Sequence, residues 1–196
     1  MTPPIRIGFA LTGSFCTFAS VLPIVETLVS RGCEVTPILS NNAAALDTRF
    51  GSADMWRSRL HHATGREAID SIPAAEPIGP KKMFDILVVA PCTGNTLAKL
   101  AHGITDTPVT MAVKSHLRGE KPVVLAVSTN DALSGSAANL GTLLNRKHYY
   151  FVPLRQDAPF AKPRSLVADM DRIPQTIGAA LENRQLQPIF LAPGEH

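Results

Sequence analysis

The chain has 196 residues, 45% of them hydrophobic and 18% charged, with a net charge of +3. That length suits one domain with a proper core. The Lys and Arg residues are scattered without a basic stripe or aromatic platform, which argues against nucleic acid, and no apolar run approaches the roughly 20 residues of a membrane span.

The cysteines Cys16, Cys33 and Cys92 are too few and too spread for a disulfide framework or a zinc site, so no metal site is expected. Met1-Thr2-Pro3-Pro4 leads into an apolar segment with no charged region or small-residue cleavage site. No signal peptide is expected, and the reducing cytoplasm is the simplest compartment.

Ile5 to Leu11 reads as a first strand, followed by a turn, Thr12 to Thr17. Phe18 to Arg31 carries Val21, Leu22, Val25, Leu28 and Val29 at helical spacing, with Gly32 as its stop. Cys33 to Leu39 reads as a second strand ending in Ser40-Asn41-Asn42. Strand, helix and strand in about 35 residues form a βαβ unit, right-handed by strong preference. Between Ala43 and Ile72, Asp54 to His62 and Arg66 to Ser71 read as helix pieces. Pro73 to Pro80 reads as a connection.

The stretch from Phe84 to Asp106 organises the chain. Ile86 to Ala90 is a continuous apolar run, as in a strand buried inside a parallel sheet. Pro91 is expected to end it. Cys92 to Thr96 form a polar turn, and Leu97, Leu100, Ala101 and Ile104 then recur at helical spacing. Pro108 to Lys114 reads as a helix, Pro122 to Val127 as a buried strand and Ser128 to Asp131 as its polar turn. Ala132 to Arg146 reads as helical in its second half and Tyr149 to Pro153 as a last strand. Ser165 to Asp171 and Ile173 to Glu182 read as terminal helix pieces, the second interrupted at Pro174. If the four strands are parallel neighbours, their polar turns share one sheet edge. That edge, rich in hydroxyls and backbone N–H groups but poor in fixed charge, suits a phosphate and a polar heterocycle.

Single residues are weighed against ordinary roles. Gly13-Ser14 is a candidate phosphate cradle, but the run Gly8 to Gly13 lacks the G-x-G-x-x-G fingerprint of a dinucleotide site. Asp106 and Asp131 read as caps or turn acids rather than catalytic groups. His61 and His62 point about 100° apart on a helix and do not converge on one metal. His102 and His116 have no evident carboxylate partner. Cys92 near a helix N-terminus would have a lowered pKa, whereas apolar burial is the commoner outcome for such a residue. Lys114 reads as a solvated lysine.

Gly13-Ser14, Ser40-Asn41 and above all APCTGNTLAKLAHGITD (Ala90 to Asp106) resemble the flavoprotein family of homo-oligomeric flavin-containing cysteine decarboxylases. Members typically carry A-P-A-[ST]-A-N-T-[IL]-x-K-x-x-x-G-[IL]-[AT]-D here, and Ala90, Pro91, Asn95, Thr96, Lys99, Gly103 and Asp106 match. One branch, the B subunits of dipicolinate synthases, resembles nearly the whole chain. The segments that carry this are IGFALTGSFCTF, DTRFG, GREAIDSIPAAEPIGPK, APCTGNTLAKLAHGITDTPVTMAVKSHLR, KPVVLAVSTNDALSGSAANL and QDAPFAKPRSLVADMDRIPQTIGAALENRQLQPI.

The resemblance implies a doubly wound α/β fold, a mainly parallel sheet flanked by helices. It implies one flavoprotein-like domain over residues 1–196, with residues 155–196 a C-terminal extension packing on it. It implies FMN, with Gly13, Ser14 and Thr17 at the phosphate, Ser40, Thr93, Asn95 and Thr96 along the ribityl chain and phosphate, and Ser128 and Thr129 on the far side. The implied role is to act with the A subunit of a dipicolinate synthase, on which NADP is the implied cofactor. Together they would oxidise a dihydropyridine-type dicarboxylate to dipicolinate during sporulation, in the mother-cell cytoplasm. A homo-oligomer is implied, with the region Ala43 to Ile72 a candidate interface. Arg49, Lys114 and Arg118 are candidates to meet the dicarboxylate, since guanidinium forks match carboxylates. Two other readings stand beside this one: a non-redox binding or activating role, and a flavin-dependent decarboxylase. The decarboxylase P-x-M-N motif is absent, with Val109 to Lys114 in that region, and that branch's catalytic histidine, after the second strand, has no clear equivalent, Asp47-Thr48-Arg49-Phe50 standing nearby instead.

Overall fold

The computed structural model describes residues 3–192, so the N-terminal leader expectation and the last residues of the extension lie partly outside the described residues. Strands β1 (Arg6–Leu11), β2 (Glu34–Leu39), β3 (Ile86–Cys92) and β4 (Val123–Thr129) lie side by side in the order β2-β1-β3-β4. All three pairings are parallel: Ile7 sits opposite Val35 and Ile86, and Leu87 opposite Val123. Every residue of β3 is buried, because helices cover both faces of the sheet. The carboxyl ends of the four strands therefore share one edge.

The helices form two packed groups. Helix α1 (Phe18–Ser30) packs with α3 (Ala53–Thr64) and with α8 (Ile173–Leu181). Helix α5 (Gly94–His102) packs with α6 (Pro108–Leu117) and α7 (Ala137–Leu144). Two short helices, α2 (Asn41–Ala45) and α4 (Ile72–Ala75), lie in the connections. Phe9, Phe18, Ile86, Leu97, Leu125 and Phe151 are all less than 2% exposed and join the layers. Each such side chain contributes about 1.5–3 kcal/mol of burial. The fold is the expected doubly wound α/β arrangement.

Local chemistry sets the helix starts. Ser40, Ser52, Thr93 and Thr107 each accept a hydrogen bond from the backbone N–H three residues on, at 3.1–3.2 Å, in the first turn of α2, α3, α5 and α6. Gly65 and Gly103, with φ of 65° and 71°, close α3 and α5 in the left-handed conformation.

Several expectations are corrected. Pro91 does not end β3, which runs to Cys92; the register instead shifts between Val89 and Cys92, where the proline cannot donate. Ile104 lies beyond α5 and is 46% exposed, because Gly103 has already stopped the helix. Arg66 to Ser71 is not helical: Ile69 bridges Ile38 in parallel, extending the sheet beyond β2. Ser165 to Asp171 is not a helix either. It holds strand β7 (Leu166–Ala168), antiparallel to Ser128–Thr129 of β4 and to β6 (Leu154–Arg155). Strand β5 (Tyr149–Phe151) is thus not the last strand; it pairs with Val123–Leu125 of β4. Pro174 does not interrupt α8 but sits in its first turn, where its missing N–H costs nothing.

Candidate functional site

At the carboxyl edge the strand ends are tied together by short polar side chains. The Thr12 hydroxyl donates to the Pro91 carbonyl at 2.7 Å and accepts from the Thr93 N–H at 3.0 Å. Ser14 and Thr17, in the turn after β1, meet Ser128 at the end of β4. The three hydroxyl oxygens lie 3.0, 3.2 and 3.3 Å from one another. Such hydroxyls can rotate to donate outward or accept, as a ligand requires.

Around Thr129 the network is denser. Its hydroxyl donates to Asp131 Oδ1 at 2.6 Å, and Ser136 donates to the same oxygen at 2.9 Å. Gly94 makes this possible. A Cβ there would stand 2.7 Å from Thr129 Oγ1, 2.8 Å from Ser136 Oγ and 2.9 Å from Asp131 Oδ1. Asp131 is thus a turn acid held by hydroxyls. Asp106 is paired with Lys99, whose Nζ lies 2.7 and 2.9 Å from its two oxygens, and the Lys99 ammonium holds its carboxyl below the usual range.

Two adjoining cavities open onto this edge. One, of about 360 Å³, is lined by Gly13, Ser40, Thr93, Asn95 and Thr96, with Asn41, Asn42 and Lys99. The other, of about 580 Å³, is lined by Gly13, Ser14, Thr17, Thr93, Ser128 and Thr129. They share Gly13 and Thr93, and both volumes suit a small cofactor. Every residue expected at the cofactor from sequence lines one cavity or the other. The donor set is hydroxyls, amides and the N-terminus of α5, and each cavity also carries one ion pair, Lys99–Asp106 in the smaller and Lys162–Asp157 in the larger. It fits a phosphorylated ligand with a polar chain and offers little to a bare metal ion.

A third cavity, of about 640 Å³, adjoins the second through Thr17 and Val167. Ser20, Arg155, Asp169, Arg172 and Gln175 also line it. The sequence carries no local signal for these residues, because Arg155 and Arg172 reach the site from strands and turns far along the chain from Thr17. The expected dicarboxylate residues are elsewhere. Arg49 is exposed, its guanidinium 4.8 Å from the Phe50 ring. Lys114 and Arg118 line one separate cavity with Met111 and Ser115, on the α6 flank. That cavity shares no residue with the three at the strand edge.

The remaining candidates lie outside these cavities. His61 lies 3.2 Å from Glu67, and His62 and His102 are exposed. His116 is buried with Nε2 3.1 Å from the Pro122 carbonyl, and burial pushes its pKa down to about 4. Burial pushes the Cys92 thiol up to about 12, so apolar surroundings outweigh the helix N-terminus.

Comparison with known proteins places this geometry. Residues 1–170 match the Flavoprotein family. The chain is 51% identical over 186 residues to the B subunit of dipicolinate synthase from Bacillus subtilis (strain 168), covering 95% of this chain and 93% of the relative. It superposes on the crystal structure of the dipicolinate synthase B subunit from Bacillus halodurans C with a TM-score of 0.89 and 44% identity, covering 98% of this chain and 99% of that one. The FMN-dependent cysteine decarboxylase SpaF shares the fold, with a TM-score of 0.70, 23% identity and coverage of 92% and 97%. The chain belongs to the flavoprotein family, in the branch formed by the B subunits of dipicolinate synthases.

Proposed function

We propose that this chain is the flavin-holding component of a dipicolinate synthase, working in the cytoplasm with the synthase's A subunit to oxidise a dihydropyridine-type dicarboxylate to its aromatic form. The observation that carries the reading is the pair of hydroxyl-lined cavities joined at Gly13 and Thr93. FMN, when bound, supplies a two-electron acceptor for such a ring. NADP on the companion protein would then be the next acceptor. Residues 1–196 act as one flavoprotein-like domain in this reading, residues 155–196 forming its C-terminal extension, and the chain works as a homo-oligomer.

The roles of the chain's own residues follow from their chemistry. Ser14 and Thr17 donate to a phosphate, and Gly13 lets the backbone come close to it. Ser40, Asn95 and Thr96 bond a polyhydroxyl chain. Thr93 is held by Thr12 and caps α5, so it fixes the shared wall. Ser128 and Thr129 form the far wall on a paired strand, which limits their movement.

The test is an absorbance spectrum of the purified protein, taken with added FMN after gel filtration removes free flavin. Retained bands at about 370 and 450 nm, as a protein-held flavin gives, are the expected result. A colourless protein that still restores dipicolinate synthesis when mixed with its companion would move the redox step to that companion. This chain would then have a binding or activating role.

A further inference from the structure

The third cavity joins four elements: the start of α1, strands β6 and β7 and the start of α8. Asp169, with a side chain only 10% exposed, contacts two guanidinium groups. It accepts from Arg155 Nη2 and, at 3.2 Å, from Arg172 Nε. The two arginine side chains are 26% and 27% exposed. One oxygen of this carboxylate, Oδ2, accepts from both guanidinium groups and restrains each of them. The Arg172 contact with Asp169 is made through Nε.

Fixed guanidinium forks match carboxylates in shape as well as charge. The N-termini of α1 and α8 add partial positive charge at the same place. Thr17, Ser20 and Gln175 supply neutral donors. Asp169 and Asp171 balance the two arginines, so recognition here comes from placed donors rather than net charge. Val167, Ala168 and Met170 give an apolar wall for a flat ring. The cavity also shares Thr17 and Val167 with the cavity beside Ser128, so an occupant of one is next to an occupant of the other.

We propose that this cavity binds the carboxylates of a flat six-membered dicarboxylic acid, with Arg172 and Arg155 as the recognising residues and Asp169 as the residue that positions them. The proposal rests on the reading of the chain as a component of a dipicolinate synthase. It replaces Arg49, Lys114 and Arg118, which lie away from the strand edge.

The experiment is titration calorimetry of the full chain with pyridine-2,6-dicarboxylate, with pyridine as the uncharged control. Arg172→Gln, Arg155→Gln and Arg172→Lys are compared with wild type and with Arg118→Gln. Loss of a charge-assisted contact predicts binding at least about tenfold weaker in Arg172→Gln and Arg155→Gln. Arg172→Lys, a point charge without the fork, falls between. Arg118→Gln matches wild type, and Arg172→Gln, though it removes one partner of Asp169, remains folded at the titration temperature. No binding by wild type, or unchanged binding in both glutamine variants, overturns the proposal. Loss in Arg118→Gln instead would also overturn it, by moving the site to the α6 flank. Flavin retention is measured separately on the same samples. A wild type that binds the dicarboxylate without holding FMN sinks the flavin reading and leaves this site standing.

Discussion

Thr12 and Pro91 stand 79 positions apart, yet the Thr12 hydroxyl reaches the Pro91 carbonyl at 2.7 Å. The same oxygen receives the Thr93 N–H at 3.0 Å. One side chain at the end of β1 thus serves two backbone groups at the end of β3, where its register shifts. Thr12→Val keeps the volume but removes the hydroxyl that bonds both groups. The expected loss is about 1–3 kcal/mol, seen as a lower denaturation midpoint, with weaker flavin retention because Thr93 loses its anchor. An unchanged midpoint would show that the stitch does not hold the strand ends.

Gly94→Ala inserts a methyl against three oxygens that already bond one another. Since Thr129, Asp131 and Ser136 are locked at 2.6 and 2.9 Å, they cannot separate cheaply. Overpacking of this kind costs about 1–3 kcal/mol. Gly141→Ala in α7 is the matched comparison. Nothing lies within 4 Å of its added Cβ, so the change should raise stability by about 0.4–1 kcal/mol. Urea melts of both variants read the contrast, and equal behaviour would remove the close approach from the account.

His116 gives a pH dependence with a definite sign. Burial lowers its pKa from 6.5 to about 4 in the folded chain. Between those values the unfolded chain holds the extra proton and the folded chain does not. Stability from this residue is therefore full above about pH 6.5, falls as pH drops towards 4 and is constant below that. The loss is on the order of 3 kcal/mol. Urea midpoints measured from pH 7 to 4 should decline in wild type and decline much less in His116→Gln. The ion-paired carboxylates Asp85, Asp106 and Asp157 have pKa values lowered by Arg6, Lys99 and Lys162, so they titrate below this window.

The thiols should separate by exposure. Cys16 is exposed, Cys33 half-buried and Cys92 fully buried. Burial raises the pKa of Cys92 to about 12 and also raises that of Cys33. Reaction with a disulfide reagent at pH 8, followed by peptide mapping, should label Cys16 first and Cys92 only after denaturation. Fast labelling of Cys92 in the native protein would contradict its burial.

Much of the molecule was legible because its signals are local. The apolar runs Ile86–Ala90 and Val123–Val127 and the helical stripe of α1 fixed four parallel strands. The polar residues after each strand then had to meet at one edge, and Ser14, Thr93 and Ser128 do. The failures came where tertiary pairing overrides local pattern. Ile69 is drawn into the sheet by Ile38, and Leu166–Ala168 by Ser128–Thr129. Neither segment is long enough to announce itself by period. Arg155, Asp169 and Arg172 were invisible for a related reason. Their meeting depends on the β6–β7 turn and the start of α8, and nothing within a few residues of each marks it.

Strand β4 is covered on its outer edge by two different partners. β5 takes its first half in parallel, and β7 takes Ser128 and Thr129 in antiparallel. Shortening the chain before β7 would uncover the N–H and C=O groups of just those two residues, next to the apolar run Val123–Val127. An open edge of that kind invites pairing with another molecule. Residues 166–168 therefore also keep one copy of this chain from adding its sheet to the next, and a truncation ending near residue 155 should be recovered as aggregate rather than as a smaller soluble domain.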